Sequence, residues 1–209
     1  MVGSVKQNYS RNVMAVVWAV CCCFGLEVSA TSASHAIRFR VKVSDMGLQR
    51  SSLLNGKQPN DWVEVRLPGH LIDSPTLFSA VSRGEASWNT PIGAAVADFS
   101  AFKADDKDWI VEDFVLEEKE KILELLNDKD SRQKNKALFQ QRTGRFVTGE
   151  AKYKEYSIVF VRDTGQPHAV PLVFKRTTHG YKRTNALSGD ETFDIIFSAL
   201  YKGEITTVE

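Results

Sequence analysis

Cysteine is almost missing from this chain: there are three in 209 residues, all in the triplet Cys21-Cys22-Cys23. From position 24 onward no thiol is available to form a disulfide, bind zinc or act as a nucleophile, so stability there must come from a core. An excess of one charge is missing as well. Twenty-seven basic side chains face 26 acidic ones, a formal +1, which leaves no surplus to neutralise a phosphate backbone and weighs against nucleic acid as a partner. The HExxH, GxSxG, P-loop and GxGxxG patterns are absent, which excludes the familiar zinc peptidases, serine hydrolases, kinases and dinucleotide enzymes. No cofactor is expected. What is present is ordinary globular composition, 43% hydrophobic and 25% charged, at a length suited to one domain.

The first thirty residues read as an address. Lys6 and Arg11 precede an uncharged apolar run from Val13 to Leu26, and small residues follow. This is the three-part layout of a secretory signal, and the run is shorter than the ~20 residues that cross a bilayer comfortably. Val28-Ser29-Ala30 sets small side chains for a cut after Ala30, and Thr31-Ser32-Ala33 offers a second site. The expectation is a signal peptide over 1–30 and a periplasmic or secreted protein, with membrane attachment only if the signal is retained. Removal would take all three cysteines together with Lys6, Arg11 and Glu27, leaving acids and bases in balance.

Beyond it, His35 to Val43 alternates with Ile37, Phe39, Val41 and Val43 on one side and Arg38, Arg40 and Lys42 on the other, a half-buried strand. Residues 62–67 alternate again. LPGHLIDSP breaks the chain, with Ser74 and Pro75 starting a short helix through Leu77, Phe78 and Val81. Thr90-Pro91 opens an amphipathic helix with Ile92, Ala95, Val96, Phe99 and Phe102 along one stripe. The corner Asp105-Asp106-Lys107-Asp108 caps a further helical segment from Trp109, with Ile110, Phe114, Ile122, Leu123, Leu125 and Leu126 as its apolar side. The dense charge from Glu117 to Lys136 reads as solvated helix surface with Glu117 near Lys121. From Glu150 the period becomes two, and AKYKEYSIVFVRD reads as a central strand. HAVPLVFKRT returns, with Pro171 at a bulge or edge, and Tyr181 to Leu187 makes a third strand of a meander. Ser188-Gly-Asp-Glu191 then caps a last helix with Phe193, Ile196, Phe197 and Leu200 as its stripe, closed by Gly203. These elements predict a single α+β domain over 31–209, a curved antiparallel sheet packed against several helices, with 31–87 as a possible extension of the sheet.

Trp88-Asn-Thr-Pro91, the alanine-bearing AAVADFSAFKADD with its acidic corner, a further helix and long strands including LVFKRTTHGYKRT follow in order over 88–187. This order resembles secreted bacterial members of the nuclear transport factor two-like (cystatin-like cone) superfamily. The resemblance implies a sheet curled around helices to enclose a cavity, and it transfers no catalytic residue. The strand at 35–43 and the last helix depart from the simplest version of that fold.

Chemistry is sparse. His35, His70, His168 and His179 hold no metal-ligand spacing and read as structural or solvated. Asp105, Asp106 and Asp108 lack the glycine of a calcium loop and read as a helix cap. Lys175 to Arg183, KRTTHGYKR, reads as a solvated basic hairpin. The candidate ligand-contacting residues are Tyr153, Tyr156, Tyr181 and Trp109, with Asp163 as a further polar group on the strands. The expected function is noncatalytic binding of a protein partner or a small apolar ligand. The alternative is an acid–base isomerase or dehydratase using a strand tyrosine or aspartate.

Overall fold

The alternating Ile37, Phe39 and Val41 need a surface to bury against, and the sheet and last helix supply it. The computed structural model describes residues 35–46 and 54–208, which belong to one compact unit; the expected signal peptide over 1–30 lies outside the described residues. Strands β1 (Ala36–Lys42), β2 (Trp62–Leu71), β3 (Leu77–Phe78), β4 (Arg145–Tyr153), β5 (Tyr156–Asp163), β6 (Val170–Thr177), β7 (Gly180–Arg183) and β8 (Glu204–Val208) form an antiparallel sheet in the order β7-β6-β5-β4-β2-β1-β8, with β3 beside β4. The helices are α1 (Pro91–Ala104), α2 (Lys107–Glu112), α3 (Lys119–Asn127), α4 (Lys129–Gln140) and α5 (Glu191–Lys202). The fold class is α+β, an open antiparallel sheet with helices on it.

The two faces bury different cores. On one, Phe39, Val41, Ile158, Phe160 and Val173 pack with Ile195, Ile196 and Ala199 of α5. On the other, Val147, Val159, Val161, Leu172 and Phe174 pack with Ala94 and Ala95 of α1. Strand β5 is therefore covered on both sides, as its continuous apolar run requires. Behind α1 a third cluster joins Ala97 and Ala101 to Trp109, Ile110, Phe114, Ile122 and Leu126. Helix α1 lies between the sheet and the outer helices, so its burial goes all round, Asp98 and Ser100 included, rather than along the expected stripe. Its many alanines allow this close approach on two sides.

Several local expectations are corrected. LPGHLIDSP does not stop β2: Pro68 still pairs with Ala36, and Gly69 to Leu71 pair with Gly149 to Ala151 of β4. Gly69 is required there, because a Cβ would lie 2.3 Å from the Glu150 carbonyl oxygen. The helix expected from Ser74 is instead the two-residue strand β3, laid on Phe146 and Arg145. The run AKYKEYSIVFVRD is not one strand but a hairpin, turned at Lys154 with φ 53°, and β4 extends upstream to Arg145. A bulge between Val147 and Gly149 inserts one residue into β4. Arg145 and Val147 consequently face α1, while Ala151 joins the α5 core. Strand β7 ends at Arg183 rather than Leu187. The segment after Trp109 breaks into α2, a 3-10 turn, α3 and α4. Among the described residues Glu117 and Lys121 form no ion pair; Arg132 and Lys136 instead reach Asp105, at 2.9 and 3.1 Å.

Candidate functional site

Strand β6 outruns its partner, and this makes a cleft. Strand β7 pairs with β6 only from Phe174 to Thr177, so the stretch Val170 to Val173 has β5 on one side and no strand on the other. After Arg183 the chain leaves the sheet, its last tie being Thr184 N–H donating to the Val173 carbonyl at 2.9 Å. It then crosses to the N-terminus of α5, where Asp190 caps the helix by accepting from Phe193 N–H at 3.0 Å. The space left between strand edge, connection and helix is a cleft of about 210 Å³. Leu172, Val173, Leu187, Phe193 and Phe197 give it apolar walls; Thr184, Asn185 and Asp194 give it a polar side.

The connection is held by Glu118. Its carboxylate accepts from Thr184 Oγ1 at 2.5 Å, from Asn185 N–H at 2.9 Å and from Asn185 Nδ2 at 2.8 Å. Phe197 on the helical wall is 48% exposed, although the stripe Phe193, Ile196, Phe197 and Leu200 predicts burial for it. The buried side of α5 turns instead onto Ile195, Ile196 and Ala199. Tyr201, one turn beyond Phe197 and also exposed, meets the His168 ring at 4.5 Å. The helix thus carries an aromatic row, Phe193, Phe197 and Tyr201, leading out of the cleft.

Arg183 lines the cleft and joins it to a buried ionic chain. Its Nη1 donates to Asp98 Oδ1 at 2.6 Å; Asp98 Oδ2 accepts from Arg145 at 3.0 Å; Arg145 Nε donates to Asp163 Oδ1 at 2.6 Å; and Asp163 also accepts from Arg142. Burial alone would raise the Asp98 carboxyl, but the guanidiniums of Arg183 and Arg145 outweigh it and hold the group below its usual range. The basic hairpin is accordingly not fully solvated. Lys182 is 9% exposed and Arg183 pairs with Asp98.

A second titratable group sits beside this chain. Asp113, 3% exposed, accepts from Trp88 Nε1 through Oδ1 at 2.6 Å, while Oδ2 is buried without a partner. Burial pushes its carboxyl up to about 7, with the charge of Asp98 adding to the rise, while the Trp88 hydrogen bond and Lys182 oppose it. Burial also lowers Lys182, whose Nζ lies 4.6 Å from the Trp88 ring centroid.

The structure pairs Tyr153 with Tyr156 across β4 and β5 but does not bring Tyr181 or Trp109 to them. Tyr153 borders the α5 core and donates to Asp190 at 3.3 Å. Tyr156 borders the same core. Tyr181 borders the α1 core, 5.6 Å from Lys152 Nζ and 6.0 Å from Arg176 Cζ. Trp109 lies in the third cluster. None of the four lines the cleft, and neither does Asp163, whose carboxylate is bound by Arg142 and Arg145. Sequence reasoning missed Leu172, Leu187 and Asp113. The one legible signal for Asp113 was an acid between Trp109 and Phe114, in a segment otherwise heading for the core.

Fold and cleft together define an α+β protein whose open antiparallel sheet carries an apolar cleft at a strand edge. No family model, curated protein or solved structure matches the chain.

Proposed function

We propose that the protein is exported to the periplasm or beyond and binds, without changing it covalently, a small apolar ligand in the cleft between β6 and α5. The carrying observation is the pairing of an apolar cleft with the half-exposed Phe197 on its wall. An aromatic ring left in water at the mouth of an apolar cavity is a surface that gains by being covered. At about 210 Å³ the cleft lies below the ~300–1,000 Å³ of sites for drug-sized molecules, which suits a short alkyl chain or a single ring. Kinship with the nuclear transport factor two-like superfamily is part of this proposal and rests on element order over 88–187.

The acid–base reading draws on one observation, the Asp113 carboxyl near neutrality. Asp113 is not among the cleft residues, so a reaction there would need another way in.

Titration with 1-octanol followed by NMR tests the binding reading. Saturable shifts at Phe193, Phe197 and Leu187 are expected. Phe197→Ala should weaken binding about tenfold while leaving the unfolding midpoint nearly unchanged, and Asp113→Asn should leave binding as it is. Shifts spread over the surface without saturation would overturn the proposal.

A further inference from the structure

The two ends of the sheet are treated differently. At the β7 end every exposed stretch of backbone is occupied or blunted. Asp113 to Val115 run along β7, with Arg183 N–H donating to the Asp113 carbonyl at 2.7 Å and Val115 N–H to the Arg183 carbonyl at 3.0 Å. Tyr181 N–H donates to the Trp88 carbonyl at 2.7 Å. Where β7 stops, β6 presents Pro171. Val173 turns its carbonyl toward the β7 side, so Pro171, two residues away, turns toward the same side and offers no N–H to an incoming strand. These are the devices by which sheets avoid pairing with other chains.

The β8 end has none of them. Glu204-Ile-Thr-Thr-Val208 pairs with β1 on one side and, among the described residues, with nothing on the other. It contains no proline, no lysine and no bulge, and four of its five residues, Ile205, Thr206, Thr207 and Val208, are β-branched.

We propose that β8 is a self-association edge, which pairs antiparallel with β8 of a second copy about a two-fold axis at Thr206. Self-complementarity argues for a second copy as the occupant. With the axis at Thr206, Thr206 faces its own equivalent, Ile205 faces Thr207, and Glu204 faces Val208. Every pair is then β-branched except the last, and such cross-strand pairs are favourable. The single charge on the strand, Glu204, meets no like charge. It is already answered within its own chain by Arg40, at 3.6 Å. The axis residue is exposed, and its hydroxyl is positioned by Arg38 Nε, which donates to Oγ1 at 3.2 Å. Such an interface is isologous and closes after two copies, so it makes a dimer and not a fibre. Its small size makes the dimer a reversible one.

Sedimentation equilibrium of the purified protein over a wide concentration range tests this. A monomer–dimer equilibrium is expected. Thr206→Lys and Thr206→Glu each set like charges face to face on the axis and should each weaken association at least tenfold, with unchanged circular dichroism. An equimolar mixture of the two variants sets lysine opposite glutamate and should restore a dimer containing one of each, which a folding defect in either variant would not do. A wild-type chain that stays monomeric throughout, variants that associate like wild type, or a mixture that fails to associate would each overturn the proposal.

Discussion

Asp113 is a carboxyl placed where its charge is unwelcome, and this gives it a signature in pH. Its ordinary value is 3.8 and its folded value about 7, so between roughly pH 4 and 7 the folded protein holds a proton that the unfolded chain has released. Stability from this group is therefore full below about pH 4, falls as pH rises toward 7, and stays level above that. Asp113→Asn keeps an acceptor for Trp88 Nε1 without the charge. It should flatten the fall, and urea midpoints at pH 5 and pH 8 should lie closer together in the variant than in wild type. Asp98 is the opposite case. Its carboxylate, 0% exposed, answers both Arg145 and Arg183, and Asp98→Asn leaves two guanidiniums short of a counter-charge. A loss of about 3–5 kcal/mol is expected by chemical denaturation, because breaking a buried pair strands its partner.

Helix α4 shows what can hold an element that contributes no buried residue of its own. Lys103 of α1 donates through Nζ to the carbonyls of Phe139, Gln140 and Arg142, at 3.2, 2.9 and 2.6 Å, closing the end of the helix. Arg132 and Lys136 tie its middle to Asp105, and Phe139 stacks on Phe102 with centroids 4.9 Å apart. Lys103→Met should raise amide exchange across Lys129–Gln140 about tenfold while exchange in β5 stays unchanged, since the core does not depend on this cap. None of these ties has a local sequence signature, and for that reason the sequence of α4 shows only charged surface. The same physics separates what was legible from what was not. Strand β1, α1 with its Thr90 cap, and α5 with its Asp190 region announce themselves through period and capping residues. Strand β4 does not: its inward positions are Arg145, Val147, Gly149 and Ala151, poor in β-formers, and its bulge interrupts the alternation. The cleft was less legible still. Its walls come from β6, the connection after β7 and α5, and only the missing length of β7 sets them around a common space.

At the scale of the whole molecule, β2 joins the two halves of the sheet, pairing first with β1 and then with β4. The crossing depends on Gly69, where a side chain would meet the Glu150 and Ala151 backbone at 2.3 and 2.8 Å. Gly69→Ala should cost about 3 kcal/mol, the upper range for overpacking. The loss should appear as a lower midpoint in a single transition, because α5 spans β1, β2 and β6 and couples the halves. The α+β class could be inferred from the order of periodic segments, but the strand order could not, because β8 follows a glycine stop and its partner lies far back in the chain. That distance has a kinetic consequence. Arg38 and Thr206, hydrogen-bonded neighbours across β1 and β8, are separated by 168 positions, so β1 waits with one side unpaired until nearly all the intervening chain has been made and folded. The sheet is completed late, when α5 docks on β1 and brings β8 beside it, and refolding is expected to be limited by this long-range assembly rather than by the hairpins β4–β5 and β6–β7.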